Sequence, residues 1–356
     1  MSVKRERAKR RARRAAVDAE LNFERENAHV ARLLNSLPSN AFADYSKNIQ
    51  RARKYVLSNM VGLKRNHQLR ILNELQVYFA PAYRQVPNSE RLFPIGNSAV
   101  YLTRKVRAIL FDTRCPTGTC CMTRISCENG NCRKAATIWK ADLSNAHLVI
   151  AARLWGLEGI LSLLKREKSI WPYLLRELQL TLDAKDDLKE IIYATVYGMH
   201  ETNVKGMITR EFGREVTDRY FRLELIAQLF AAREIHMSRI KNDGFICDAF
   251  GKKHFLSDVS RGSPLPEEEK GAEDKAVRTL VSHEVGSYEL RVMAAASKIV
   301  KDAGREVVII LWLHDGIYVK FKDTRKSRMD TWKKRIKHAV EAEARALNLP
   351  LILVDE

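Results

Sequence analysis

The chain has 356 residues, 46% apolar and 29% charged, the balance of a folded protein rather than a disordered one. No apolar run reaches the ~18 residues of a membrane span, and the basic opening residues lack the apolar core of a secretory signal, so neither a membrane protein nor a secreted one is expected. Lys and Arg number 62 against 43 Asp and Glu, and the net charge of +19 favours a polyanionic partner, most simply nucleic acid.

The first fourteen residues carry eight cations, Lys4 to Arg14, against the single acid Glu6. They read as a solvated tail or as an arm that neutralises phosphates. A transit peptide is the other reading, though acids follow at Asp18, Glu20, Glu24 and Glu26. Apolar residues at three-to-four spacing predict helices from Ala15 to about Tyr83. Val100, Leu102, Val106, Ile109 and Leu110 predict a strand pair over Ala99 to Phe111. A Cys-rich stretch follows, then a strand from Ala136 to Asp142 and a helix from Asn145. Helices are predicted to about Lys241, and a hairpin over Phe245 to Phe255 centred on Gly251. Gly262 to Asp274 reads as a loop, Lys275 to Ala303 as a long helix. Val307 to Lys322 predicts two strands joined at His314-Asp315-Gly316, before a helix over Ser327 to Ala346 and a strand over Pro350 to Val354.

Two carboxylates stand out by position. Asp142 closes an apolar strand, and Asp315 sits between the runs Ile309 to Leu313 and Ile317 to Val319. A charge amid such runs is costly unless it lies at an exposed strand end or binds a cation. Two such carboxylates side by side repel unless a divalent metal sits between them, the arrangement two-metal phosphoryl transfer requires. Taken singly, each also fits an ordinary turn Asp. Lys185, Lys189, Tyr193 and Tyr197 lie four apart and share one helix face, two cations followed by two rings. That face suits a triphosphate and a stacked base, or equally a plain amphipathic helix.

The order of these segments resembles family A (Pol I-like) DNA polymerases, here as a compact, divergent member without an exonuclease domain. Asp142-Leu143-Ser144-Asn145-Ala146-His147 resembles motif A, Lys185 to Gly198 motif B, and Leu313-His314-Asp315-Gly316 motif C. The hairpin Phe250 to Phe255 is similar to the basic hairpin after the fingers. The resemblance implies an α+β right-hand polymerase, with an antiparallel palm sheet and mostly helical fingers and thumb. Its divisions are a basic arm and thumb-like region over 1–90, a first palm part with the Cys-rich insertion over 91–160, fingers over 161–243, and a second palm part over 244–356.

By the same resemblance, Asp142, Asp315 and the Leu143 carbonyl hold two Mg²⁺ ions. Lys189 contacts the phosphates and protonates the leaving group, and Lys185 stands in place of a phosphate-binding Arg. Tyr193 packs on the incoming sugar and base, and Tyr197 stacks at the template. His314, Lys252, Lys253 and Arg104 touch primer or template. Cations of the thumb-like helices, Arg51, Arg53, Lys54, Lys64, Arg65 and Arg70, grip the duplex backbone. The partners implied are a DNA primer–template and dNTPs in a prokaryotic, plasmid or phage cytoplasm, with a mitochondrial location also open. Three departures bear on sugar choice. His147 stands where the family has a Glu that excludes ribose, Gly316 replaces a Glu after the motif C Asp, and Val285-Gly286 replaces a Gln-Gly pair. RNA polymerases and primase-type enzymes of the same palm superfamily, using RNA or NTPs, are therefore the alternative, while Tyr193 favours DNA synthesis. A decayed nucleic-acid-binding protein, or a nuclease that recruits Glu284 and Glu289, also fits parts of the pattern. Finally, Cys115, Cys120, Cys121, Cys127 and Cys132 suit either a structural Cys₄ zinc site or a loop of free or disulfide-bonded thiols.

Overall fold

The computed structural model describes residues 30–35, 48–77, 83–85, 92–96, 98–112, 138–167, 169–261, 272–313, 315–323 and 325–355. The five clustered cysteines and His314 lie outside the described residues, as do the N-terminal arm and most of the expected acidic loop. In chain order come helices α1 (30–35), α2 (Ile49–Asn59) and α3 (Gly62–Val77), strands β1 (Tyr83–Gln85) and β2 (Leu92–Pro94), and α4 (Arg104–Leu110). Then follow β3 (Ile138–Leu143), α5 (Ala146–Leu154), α6 (Glu158–Glu167), α7 (Trp171–Leu178) and α8 (Lys185–Val196). Next are α9 (Glu201–Phe212), α10 (Arg214–Arg222), α11 (Glu224–Asp243), β4 (Phe245–Cys247), β5 (Lys253–Phe255), α12 (Leu256–Arg261) and α13 (Ala272–Asp302). The chain closes with β6 (Val307–Trp312), β7 (Gly316–Phe321), α14 (Lys326–Ala346) and β8 (Leu353–Asp355).

One expectation is corrected. Residues 99–111 form no strand pair but a short 3-10 turn, Ala99–Tyr101, followed by α4. Val106 and Leu110, four apart, turn one buried stripe inward, and the Arg107 guanidinium donates to the carbonyls of Val100 and Leu102. These local bonds, with the burial of Val106 and Leu110 against α2 and α3, override the strand preference of the β-branched residues.

The described residues fall into two compact units. The first holds Leu143–Val292 and Glu341–Ile352; the second holds the described parts of Glu26–Asp142, Met293–Val340 and Leu353–Glu356. The second unit is built on a four-stranded sheet in the order β6-β7-β3-β8, with β7 antiparallel to both β3 and β6. One cluster of its core packs Ile310, Leu311 and Tyr318 with Ile49, Val56, Ile71, Leu72, Val106 and Leu110 from α2, α3 and α4. The Asn48 amide holds these helices in place by donating to the carbonyls of Leu110 and Asp112. In the first unit α5 is buried from Ala146 to Ala152, a helix apolar nearly all round and therefore central. There the β4–β5 hairpin turns at Gly251, whose φ of 86° lies in the left-handed region.

Candidate active site

Alternation along β3 buries Trp139, Ala141 and Leu143 and leaves Asp142 half-buried at the strand's end. The chain then reverses through Ser144 and Asn145. Asn145 adopts φ 54° and ψ 31°, a left-handed conformation that Asn tolerates better than most residues. The Ser144 amide donates to the Ile352 carbonyl, fixing the turn within the first unit.

In the second unit Asp142 pairs in register with Gly316, the residue that follows Asp315. Two carboxylates 173 positions apart in sequence therefore sit at the same end of neighbouring strands. A Cβ placed on Gly316 would lie 2.9 Å from Asp142 Oδ1 and 3.1 Å from the Ala141 carbonyl oxygen. The side chain missing after Asp315 is thus required by the carboxylate opposite. Two half-buried carboxylates at one end of the sheet offer hard oxygen donors, the kind of donor that would suit a divalent cation such as Mg²⁺.

In the first unit α8 buries Leu188, Ile191, Ile192, Thr195 and Val196 and leaves Lys185, Lys189, Tyr193 and Tyr197 half-buried along one stripe. The four side chains spaced by sequence do share a face, and that face is not core. Lys189 Nζ lies 5.2 Å from the Tyr193 ring centre. His147, from α5, packs its ring 4.4 Å from that of Tyr193 and 5.3 Å from that of Tyr197. Its Nε2 lies 2.9 Å from Oε1 of Glu289 on α13, while Nδ1 is buried without a partner among the described residues. The sequence pattern places His147 by its motif but does not reveal Glu289 as its partner.

Arg233 is buried and closes α8 from below. Its guanidinium donates to the Thr195 carbonyl in the last turn and to the Met199 carbonyl just past the helix, tying the helix end to the segment that follows it. Glu284 pairs with His236 at 2.7 Å, also inside the first unit. The basic hairpin is held by its own turn and by α13. The Asp248 carboxylate accepts from the Phe250 and Lys252 amides and pairs with His254, while Ser287 and Arg291 bond the Ala249 amide and carbonyl. Lys253 lies 3.7 Å over the Phe245 ring, and Arg104 is exposed at the start of α4. The exposed thiol of Cys247, beside Asp248, is pushed up from its ordinary pKa, chiefly by partial burial.

No family model matches the sequence, and no curated protein does. Among solved structures, the fold is similar to the POL domain of Pol1 from M. smegmatis, solved in complex with DNA primer-template and dNTP. The match has a TM-score of 0.57 at 12% identity and covers 95% of this chain and 69% of that chain. The chain therefore has a polymerase-like fold of mixed helices and antiparallel sheets. No helix among the described residues is long and apolar enough to cross a membrane.

Proposed function

We propose that the chain is a template-directed nucleotidyltransferase that extends a DNA primer with dNTPs on a DNA template. The observation that supports this reading most is the β3–β7 register, which pairs Asp142 with Gly316, the residue after Asp315, in a polymerase-like fold. In this reading 1–90 serve as arm and thumb, 161–243 as fingers, and 91–160 with 244–356 as palm. The two aspartates and the Leu143 carbonyl would hold two Mg²⁺ ions, which when bound activate the primer hydroxyl and neutralise the triphosphate and its leaving pyrophosphate. The other steps belong to the chain itself. Lys185 and Lys189 bind the phosphates as point charges, and Lys189 supplies a proton to the departing group. The Tyr193 ring supports the incoming nucleoside, and Tyr197 stacks against the template base. Lys252, Lys253 and Arg104 neutralise backbone phosphates, which sets register without reading sequence.

The test is primer extension with purified protein, Mg²⁺, and dNTPs or NTPs supplied separately. Extension with dNTPs is expected, and Asp315→Asn should abolish it while duplex binding persists. Synthesis by that variant within about tenfold of the parent, where removal of a metal-ion ligand should cost several kcal/mol of transition-state stabilisation, would refute the assignment.

A second reading, ribonucleotide use, is favoured by one observation: a histidine, not a carboxylate, leaves α5 against the Tyr193 ring. Measurable NTP insertion is its expected sign. The five clustered cysteines are proposed to bind one structural zinc, and metal analysis of protein purified without chelator, before and after their replacement by Ser, tests that.

A further inference from the structure

Several helices of this protein pair surface cations with nearby carboxylates. Arg166 pairs with Glu167, Arg176 with Glu177, Arg210 with Glu211, Arg219 with Glu215 and Lys241 with Asp274. The first half of α14 breaks that habit. Residues 322–338 contain eight Lys and Arg against two acids, Asp323 and Asp330. Asp323 is taken up by Arg325, which holds its carboxyl at about 2, and Lys337 is paired with Asp355. Lys326, Arg328, Lys334 and Arg335 are exposed, and no carboxylate among the described residues lies within ion-pair distance of any of them.

The arrangement has structure beyond its charge. Ile336 and Val340 are buried and orient the helix. Their burial turns Arg328, Lys334 and Arg335 to the solvent side, where the Arg335 guanidinium lies 4.4 Å over the half-buried Trp332 ring. From Lys326 to Lys337 the helix rises ~16 Å, the span of about five phosphates along one strand. Concentrating Arg328, Lys334 and Arg335 on one face, with no carboxylate among the described residues in ion-pair distance, costs self-repulsion, which a bound polyanion would relieve. None of these residues belongs to the carboxylate pair, the α8 stripe or the basic hairpin.

We propose that the outer face of α14 is a separate, sequence-independent binding surface for a single strand of nucleic acid. Arg328, Lys334 and Arg335 contact its phosphates, and the Trp332–Arg335 stack offers a flat platform to a base. The surface stands on charge and needs no catalysis, so it survives even if the polymerase reading fails.

The test compares two triple variants of equal charge change. One is Arg328→Glu, Lys334→Glu, Arg335→Glu on α14. The other is Lys165→Glu, Lys205→Glu, Arg214→Glu, all exposed and elsewhere. Thermal melts first establish that both remain folded. Fluorescence anisotropy then follows a labelled oligo-dT strand over a salt series. The α14 variant should bind at least about tenfold more weakly, with a salt slope flatter by about two, from about 0.7 per lost phosphate contact. The control should stay within about threefold of the parent, since distant charges act only through a screened field. Equal weakening in both variants would overturn the proposal, as would an α14 variant that binds like the parent. Parent protein that binds anionic vesicles but not the oligonucleotide would also overturn it. Extension of a short primer–template measures catalysis apart, because Asp315→Asn should lose extension yet keep oligo-dT binding.

Discussion

Gly316 and His147 show how single positions read differently once their neighbours are known. By sequence both are departures from a family pattern. In the fold Gly316 is the residue across from Asp142, with no room for a Cβ. Its neighbours there are the Ala141 carbonyl, held by the β-ladder, and the Asp142 carboxylate, which would have to rotate away. Gly316→Ala should therefore cost about 1–3 kcal/mol in denaturant melts and, by displacing Asp142, lower primer extension by more than its stability loss explains. Wild-type rates from the folded variant would show that Asp142 is not held where chemistry needs it. His147 carries a second lesson. Replacing it with Glu alone would set two carboxylates against each other, because Glu289 already lies 2.9 Å from the ring nitrogen. The useful variant is His147→Glu with Glu289→Gln. It should insert ribonucleotides less readily than the parent, judged by the ratio of rNTP to dNTP incorporation, whereas His147→Glu alone should mainly destabilise. An unchanged ratio in the double variant would remove His147 from sugar selection. Glu289 was legible only as an extra carboxylate for a nuclease reading and not as a partner of His147, since 142 residues separate the two.

At the scale of elements, periodicity was informative where one face is buried and misleading where tertiary bonds decide. The α8 stripe, the β6–β7 hairpin, α13 and α14 all follow from spacing. Residues 99–111 do not, because Arg107 and the buried pair Val106 and Leu110 favour a helix that β-branched composition conceals. The end of α8 is specified twice, by Arg233 below it and by Gly198 after it. Gly198 has φ 81°, and a Cβ there would lie 2.7 Å from Arg278 Cγ. Because Arg278 is flexible it can swing aside, so the backbone dominates the cost. Gly198→Ala should destabilise by about 1–2 kcal/mol, the penalty of a left-handed residue carrying a Cβ. Tyr197, one position earlier, should also shift, weakening template binding. A variant with an unchanged denaturation midpoint would mean the turn relaxes out of the left-handed region.

Over the whole molecule, charge is the most legible property and the least localised by sequence. A net charge of +19 predicts binding to nucleic acid but not where. The structure sorts the cations into those paired within their own helix and those left open, a distinction that depends on rotamers and neighbours rather than composition. If several of the cations on α2 and α3 meet backbone phosphates, log affinity for duplex should fall with log salt at a slope of about −4 or steeper. A slope near zero would mean that the charge excess serves solubility alone. The interleaving of the two compact units was equally hidden, since each is assembled from separated stretches of chain.

The strand order β6-β7-β3-β8 also bears on how the protein is made. Both hydrogen-bonding neighbours of β3, β7 and β8, come from Gly316 onward. During synthesis β3 therefore leaves the ribosome with two open edges and stays so until about 170 further residues have followed. Long-range closure of this kind is slow, and an unpaired apolar strand is an aggregation template in the interval. The ladder that pairs Asp142 with Gly316 cannot form before β7 is made, so a nascent chain stalled earlier would lack that pairing and carry a sticky edge.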